Sequence, residues 1–444
     1  MTSTEPQAVA LTILDLARAG RFTDIRDRFA PSLQPMVSAD VLKAAWDAEV
    51  AQLGPVRTVG TPATEPAEQV TVVTIPVHFD HGTLTLQVSL TTTDELTGLQ
   101  LAPADAADPP VPWEPPPYAD PDHFDEHDVT LGDGPLAVPG TLTLPKATGP
   151  VPALVLIGGS GPVDRDTTIG KSKPFKDLAW GLASQGIAVL RFDKITYAHP
   201  VQVKANRDFT VADEYLPHAL AAIRLLQTHP AVAPERVFLA GHSLGGTIAP
   251  RIAVAAEPPV AGLIILAGGT EPMQWAAVRQ VRYLASLDPA TAAAAQPTID
   301  AMAAQAKQVD SPDLSPDTPD DELPFGVPAP YWLDLRSYDP VATAAALDQP
   351  ILICQGERDY QATITDDLAR WQTGLRGRPN VTVRTYPADN HFFFPGSGPS
   401  NPAELAAPQH LDPQLVTDIN DWIGSDWVAG TGVEPRTDMG EWAT

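Results

Sequence analysis

The chain has 444 residues, enough for two or three domains with at least one large buried core. Its net charge is −27, which disfavours a surface built to hold nucleic-acid phosphates or an anionic membrane face. A single cysteine, Cys354, excludes an internal disulfide, a CxxC redox pair and a cysteine-based zinc site.

Residues Met1 to Pro6 carry no basic stretch, and no unbroken apolar run follows them. No apolar run reaches the ~18 residues of a membrane span, so the expected location is cytoplasmic. Residues 1–103 read as a small α+β domain. Val9, Ile13, Leu16 and Ala17 recur at helical spacing, and Ser38 is placed to cap a second helix bearing Val41, Leu42 and Trp46. The period then changes to that of strands at Val70–Phe79 and Leu84–Leu90, with a hairpin turn at Asp80-His81-Gly82 and a third strand over Glu95–Leu101. Its β-meander offers an edge for a homodimer. Residues 104–123 hold Pro109-Pro110, Pro112 and Pro115-Pro116-Pro117, the composition of a stiff linker. Trp113 and Tyr118 within it are candidates for packing on a domain surface.

From 124 to 427 strands and helices alternate, which predicts a mostly parallel sheet of about eight strands with helices on both faces. The strands are expected at His127–Leu131, Leu136–Leu144, Ala153–Ile157, Ala188–Phe192, Arg236–Ala240, Gly262–Leu266, Pro350–Cys354 and Val381–Tyr386. No helix separates the first two, so that edge is expected to be antiparallel. A helix is expected over Ile364–Gly374. An insertion at about 270–347 interrupts the series and reads as a lid. Residues 428–444 read as a flexible tail.

The strongest motif is Gly241-His242-Ser243-Leu244-Gly245, a GxSxG running from a strand into an Ala-rich helix. That context makes Ser243 a nucleophile lifted above the sheet on a strained turn, with the Leu244 N–H as one oxyanion donor. The acid and the base should follow in that order. Asp359 lies just past the end of the Ile351–Cys354 strand, and Glu357 and Asp366 are its rivals. His391 follows the last strand and precedes three phenylalanines expected to anchor it; His410 lies further on. His242 reads as a packing residue. The glycine loop Gly158-Gly159-Ser160-Gly161 follows an apolar strand and fits no phosphate-binding pattern, so Ser160 N–H, then Gly159, is the second oxyanion donor. Asp164, Arg165 and Asp166 either brace that loop or face substrate. Lys194, Tyr197 and His199 either touch substrate or solvate a loop. The lid residues Gln274, Trp275, Arg279, Tyr283, Tyr331 and Trp332 either line the substrate pocket or pack within the lid.

With these residues in hand, the chain resembles the alpha/beta-hydrolase superfamily, and within it bacterial serine esterases with a DUF3887-like (cystatin- or NTF2-like) N-terminal domain. The resemblance rests on Gly158 to Lys194, Ala240 to Gly246, Gln355 to Gln361 and Asp389 to Phe394. Gly-Ser-Gly-Pro-Val-Asp-Arg-Asp at 159–166 is its most specific stretch. Relatives often carry His-Gly where this chain has Gly158-Gly159. The resemblance implies hydrolysis of carboxylic esters, of short or medium acyl length, or of thioesters, through an acyl-enzyme. No metal or cofactor is implied, and the partner is a small ester or acyl substrate. The same triad also serves an acyltransferase or cyclase. A peptidase, or a binding protein with a silent site, is a further alternative.

Overall fold

The computed structural model describes residues 6–30, 37, 39–66, 71–91, 93, 95–103 and 113–425. Two compact units form, Met1–Pro112 and Trp113–Thr444. The proposed cap Ser38, residues 104–112 of the proline-rich stretch and the tail lie outside the described residues.

In the first unit, α1 (Pro6–Arg18), α2 (Phe22–Arg26) and α3 (Ala39–Leu53) precede β1 (Val56–Val59), β2 (Ala63–Pro66), β3 (Thr71–Phe79), β4 (Thr83–Leu90) and β5 (Leu96–Pro103). The order is β1-β3-β4-β5, with β2 also paired to β3, all antiparallel. The alternating Val73, Ile75 and Val77 of β3 bury against Ile13, Leu14 and Ile25. Trp46 packs on Phe79 with ring centroids 6.2 Å apart. The short strands β1 and β2 were not legible in the sequence, because four residues leave no period to read.

The second unit runs β6 (Phe124–Leu131), β7 (Val138–Pro145), β8 (Val151–Ile157), α4 (Pro174–Ala183), β9 (Ala188–Phe192), α5 (Ile195–Ala198), α6 (Pro200–Ala205), α7 (Val211–Thr228), β10 (Val232–His242), α8 (Leu244–Ala255) and β11 (Leu263–Leu266). Then come α9 (Met273–Ser286), α10 (Pro289–Asp310), α11 (Ala329–Arg336), α12 (Pro340–Ala345), β12 (Ile351–Gly356), a π-helical turn (Ile364–Leu368), α13 (Ala369–Gly374), β13 (Val381–Tyr386) and α14 (Pro413–Gly424). The eight-stranded sheet has the order β13-β12-β11-β10-β8-β9-β7-β6. The strands from β13 to β9 are parallel, and β7 and β6 complete an antiparallel edge. The helix expected over 364–374 begins as the π turn, where Asp366 and Asp367 bond to residue 363.

The apolar runs of the central strands follow from burial on both faces. Ala153, Val155 and Ile157 of β8 pack under α7 and α8, whereas Leu154 and Leu156 pack under α4 and α14. Trp113 donates its Nε1–H to the buried Asp177 of α4 at 2.8 Å and meets Trp180 edge-on, so residues from 113 onward are anchored to this unit. Among the described residues no helix is long and apolar enough to cross a membrane.

Candidate active site

Five neighbouring parallel strands, β8 and β10 to β13, end on one rim, and the residues singled out in the sequence hang from the ends of four of them. Ile157 of β8 pairs with Gly241 of β10, which places the glycine loop after β8 beside the turn after β10. Gly356 of β12 pairs with Tyr386 of β13, so the loops bearing Asp359 and His391 also leave as neighbours.

The turn at Ser243 is strained, with φ +55° and ψ −125°. Both flanking glycines are required by close backbone approach. A Cβ on Gly241 would overlap the Gly245 backbone, and one on Gly245 would lie 2.6 Å from the Ile157 carbonyl oxygen. Helix α8 begins at Leu244, so the Leu244 N–H is among the four that lack an intrahelical acceptor.

Asp359 and His391 are both buried, and His391 Nδ1 donates to Asp359 Oδ2 at 2.7 Å. The carboxylate is held on its other lone pairs. Oδ1 accepts the Gln361 and Ala362 N–H groups at 2.7 and 3.0 Å, and Oδ2 accepts Gln355 Nε2 at 3.1 Å. Gln355 was missed as a site residue in the sequence, where it is only the first residue after the Pro350–Cys354 strand. The rival Glu357 is exposed, and Asp366 bonds to Thr363 within the π turn. His410 pairs instead with Asp177 at 3.0 Å. Phe393 and Phe394 are buried and anchor the histidine loop, and the Phe392 ring lies 5.3 Å from that of His391. Among the described residues no hydrogen bond joins Ser243 Oγ to His391; such contacts commonly tighten only with substrate bound.

His242 does more than pack. Its Nε2 lies 2.9 Å from the His391 carbonyl oxygen, which can only accept, so this nitrogen carries the proton. Burial, and next the His391 ring, push its pKa down to about 3, which keeps the ring neutral. It therefore positions the backbone of His391 and is no base.

Asp164, Arg165 and Asp166 brace the loop. Arg165 pairs with Asp193, Asp166 with Arg191 and Lys173, and Asp164 accepts the Thr168 N–H. Lys194 neither touches the cavity nor faces solvent; it is buried beneath the glycine loop. Tyr197 is exposed, and His199 bonds to the Ala137 carbonyl.

Above Ser243 lies a cavity of about 270 Å³. Ser160, Ser243 and Leu244 form one side. The insertion walls the other with Gln274, Gln280 and Phe325 among others. The four aromatics expected to line it do not. Trp275 donates to Asp310, Tyr283 stacks on Tyr360 and donates to Ser400, Tyr331 donates to Glu214, and Trp332 fills a small core with Val309, Leu314 and Leu323. Each of the three hydrogen-bonding rings has a polar partner for its N–H or O–H, and Trp332 went to the insertion's own core. Among the described residues no group of three or more His, Cys, Asp or Glu side chains is placed to hold a metal ion.

Asp389, two residues before His391, is fully buried. Burial, and next the negative Asp412, push its carboxyl up to about 7. The folded state thus holds this proton more tightly than the unfolded chain, and stability falls as pH rises from about 4 to about 7. Asp389→Asn is expected to raise the Tm at pH 8 by several degrees, with the gain vanishing near pH 4. Calorimetry at both pH values checks this; an equal shift at each would reject the titration.

Comparison with known proteins agrees with this architecture. Residues 10–99 match the model of a protein of unknown function (DUF3887), and residues 154–407 match the alpha/beta hydrolase family. Esterase EstD of Thermotoga maritima is 32% identical over 391 residues, covering 88% of this chain and 89% of that protein. Among solved structures, Est1E from Butyrivibrio proteoclasticus is 17% identical with a TM-score of 0.42, covering 67% of this chain and 98% of that one. The proline iminopeptidase of Mycobacterium smegmatis is 18% identical with a TM-score of 0.45, over 67% and 98%. The hydrolase match takes in most of β8, the strands β9 to β13, the turn at Ser243 and the loops bearing Asp359 and His391, and the chain belongs to the alpha/beta hydrolase family.

Proposed function

We propose that the chain hydrolyses carboxylic esters through an acyl-enzyme on Ser243. The observation that carries this reading is the buried His391–Asp359 pair at 2.7 Å, on the same sheet rim as the strained Ser243 turn. The similarity to an esterase along most of both chains supports it. In this reading Nδ1–H of His391 is fixed by Asp359, which leaves Nε2 as the general base toward Ser243 Oγ. The hydroxyl proton passes to His391, Oγ bonds to the carbonyl carbon, and the carbonyl oxygen becomes the oxyanion. The Leu244 and Ser160 N–H groups receive that charge, and Gly159 leaves room for the approach. His391 then protonates the departing alcohol and later draws a proton from the water that releases the acid.

The insertion acts as the lid over this site. A cavity of about 270 Å³ falls at the small end of the ~300–1,000 Å³ typical of ligand pockets, which favours short acyl groups. Turnover of p-nitrophenyl esters from acetyl to decanoyl tests this. The optimum is expected at or below hexanoyl, with decanoyl at least ~10-fold slower in kcat/KM. A decanoyl optimum would reject the sizing, and no turnover of any member would reject the esterase reading.

A further inference from the structure

Beneath the glycine loop lies a buried polar knot that the acyl-enzyme reading leaves unused. Lys194, 3% exposed, follows the end of β9. Its Nζ donates to Gly159 O at 2.6 Å, to Gly161 O at 2.9 Å and to Tyr215 Oη at 2.9 Å, and it lies 2.9 Å from Glu214 Oε1. The Tyr215 hydroxyl donates to the same Gly159 oxygen at 2.7 Å. Glu214 Oε2 in turn accepts the Tyr331 hydroxyl of α11 at 2.6 Å. None of these four side chains lines the cavity.

The Gly159 carbonyl and the Ser160 N–H belong to one peptide unit. In a planar trans peptide the two point in opposite directions. Two donors drawing Gly159 O into the knot therefore turn the Ser160 N–H away from it. The same loop runs against the catalytic turn: a Cβ on Gly159 would come 3.1 Å from Ser243 Cβ, and Ser160 lines the cavity with Ser243. A cation on the carbonyl also polarises the peptide and strengthens its N–H as a donor.

We propose that Lys194 and Tyr215 are positioning residues that aim the Ser160 N–H at the oxyanion, and that the Glu214–Tyr331 bond ties this donor to the insertion. The proposal rests on the serine esterase reading. Docking of α11 and the shape of the oxyanion site then become one equilibrium. Tyr331, expected from the sequence to touch substrate, acts through Glu214 instead.

The test uses the full chain and p-nitrophenyl acetate, with Tyr215→Phe, Tyr331→Phe and Lys194→Met beside Ser243→Ala. A short-chain trifluoromethyl ketone, to which Ser243 Oγ adds to give a tetrahedral oxyanion, reports transition-state binding. Losing one oxyanion donor typically lowers kcat by ~10²–10³-fold, so misaiming it is expected to lower kcat by ~10-fold in Tyr215→Phe and ~10²-fold in Lys194→Met. KM should stay within ~3-fold, and the ketone inhibition constant should rise by the same factor as kcat/KM falls. Tyr331→Phe should show the same signature at ~3-fold. Tyr215→Phe loses a single hydroxyl and keeps the question open to test should Lys194→Met fail to fold. A lowered Tm with kcat and ketone inhibition unchanged would overturn the positioning role, and an unchanged Tyr331→Phe would overturn the tie to the insertion. Hydrolysis by Ser243→Ala within ~10-fold of wild type would instead overturn the serine esterase reading.

Discussion

Ser243→Ala is expected to lower kcat for p-nitrophenyl acetate by ~10⁵–10⁶-fold while leaving the Tm within about 2 °C of wild type. The two halves of that expectation have different causes. In the proposed mechanism the hydroxyl is the only protein group that bonds to the acyl carbon, so its loss removes the covalent route entirely. The backbone strain at φ +55° belongs to the turn, not to Oγ, and alanine inherits it. The neighbouring Leu244 and Ser160 N–H groups remain, so a residual rate ~10³-fold over water is expected from oxyanion stabilisation and binding. Progress curves with the ester, and labelling by a fluorophosphonate, measure both. Activity within ten-fold of wild type, or labelling at an unchanged rate, would move the nucleophile elsewhere.

Arg191→Met should cost the second unit about 3–5 kcal/mol of stability at neutral pH, a fall in Tm of order 10 °C. The guanidinium is buried and uses three donors. Nε binds Asp166 at 2.8 Å, Nη1 binds Thr143 at 2.7 Å and Nη2 binds Glu126 at 2.7 Å. Burial alone would raise both carboxyls, but the Arg191 charge and hydrogen bonds outweigh it and hold both below the usual carboxylate range. Methionine fills the stem and leaves two carboxylates with no such partner. Depressed carboxyls stabilise the fold above their unfolded pKa, near 4, and that contribution is lost as pH falls through the folded values. The gap between wild type and variant should therefore narrow on acidification below about pH 4. Urea titrations at pH 7 and at about pH 2.5 read it, and a gap that is constant with pH would show that the ion pairs contribute nothing.

The parts of the site that the sequence made legible are those whose chemistry is written in consecutive residues. A strand running into Gly241-His242-Ser243-Leu244-Gly245 marks a turn whose glycines have no steric alternative. Asp359 sits a few residues past the apolar run Ile351–Cys354, and His391 follows β13, whose Val381 and Val383 alternate with polar residues. The parts that stayed hidden depend on contacts between distant segments. Gln355 reads as a plain residue following the Pro350–Cys354 strand until the loop at 359–362 folds back over it. Lys194 looks like a solvated loop cation until β9 sets it beneath residues 159–161. The insertion's aromatics look like pocket walls because an apolar ring there has two ways to be buried, and periodicity does not choose between them. Asp367, buried on the π turn, gathers the Thr270, Glu271 and Thr363 N–H groups and could be found only by following those backbone donors.

The bond from His242 to the His391 carbonyl spans 149 positions of sequence and joins the immediate neighbour of the proposed nucleophile to the backbone of the proposed base. Position 242 is formally the variable residue of its five-residue motif, yet here it functions as a spacer of fixed length. Directed-evolution libraries that randomise the turn to widen substrate range would therefore shift the base whenever they shorten this side chain. Holding residue 242 constant while varying Gln274 and Gln280 on the opposite wall separates changes in what is accepted from changes in how fast it reacts.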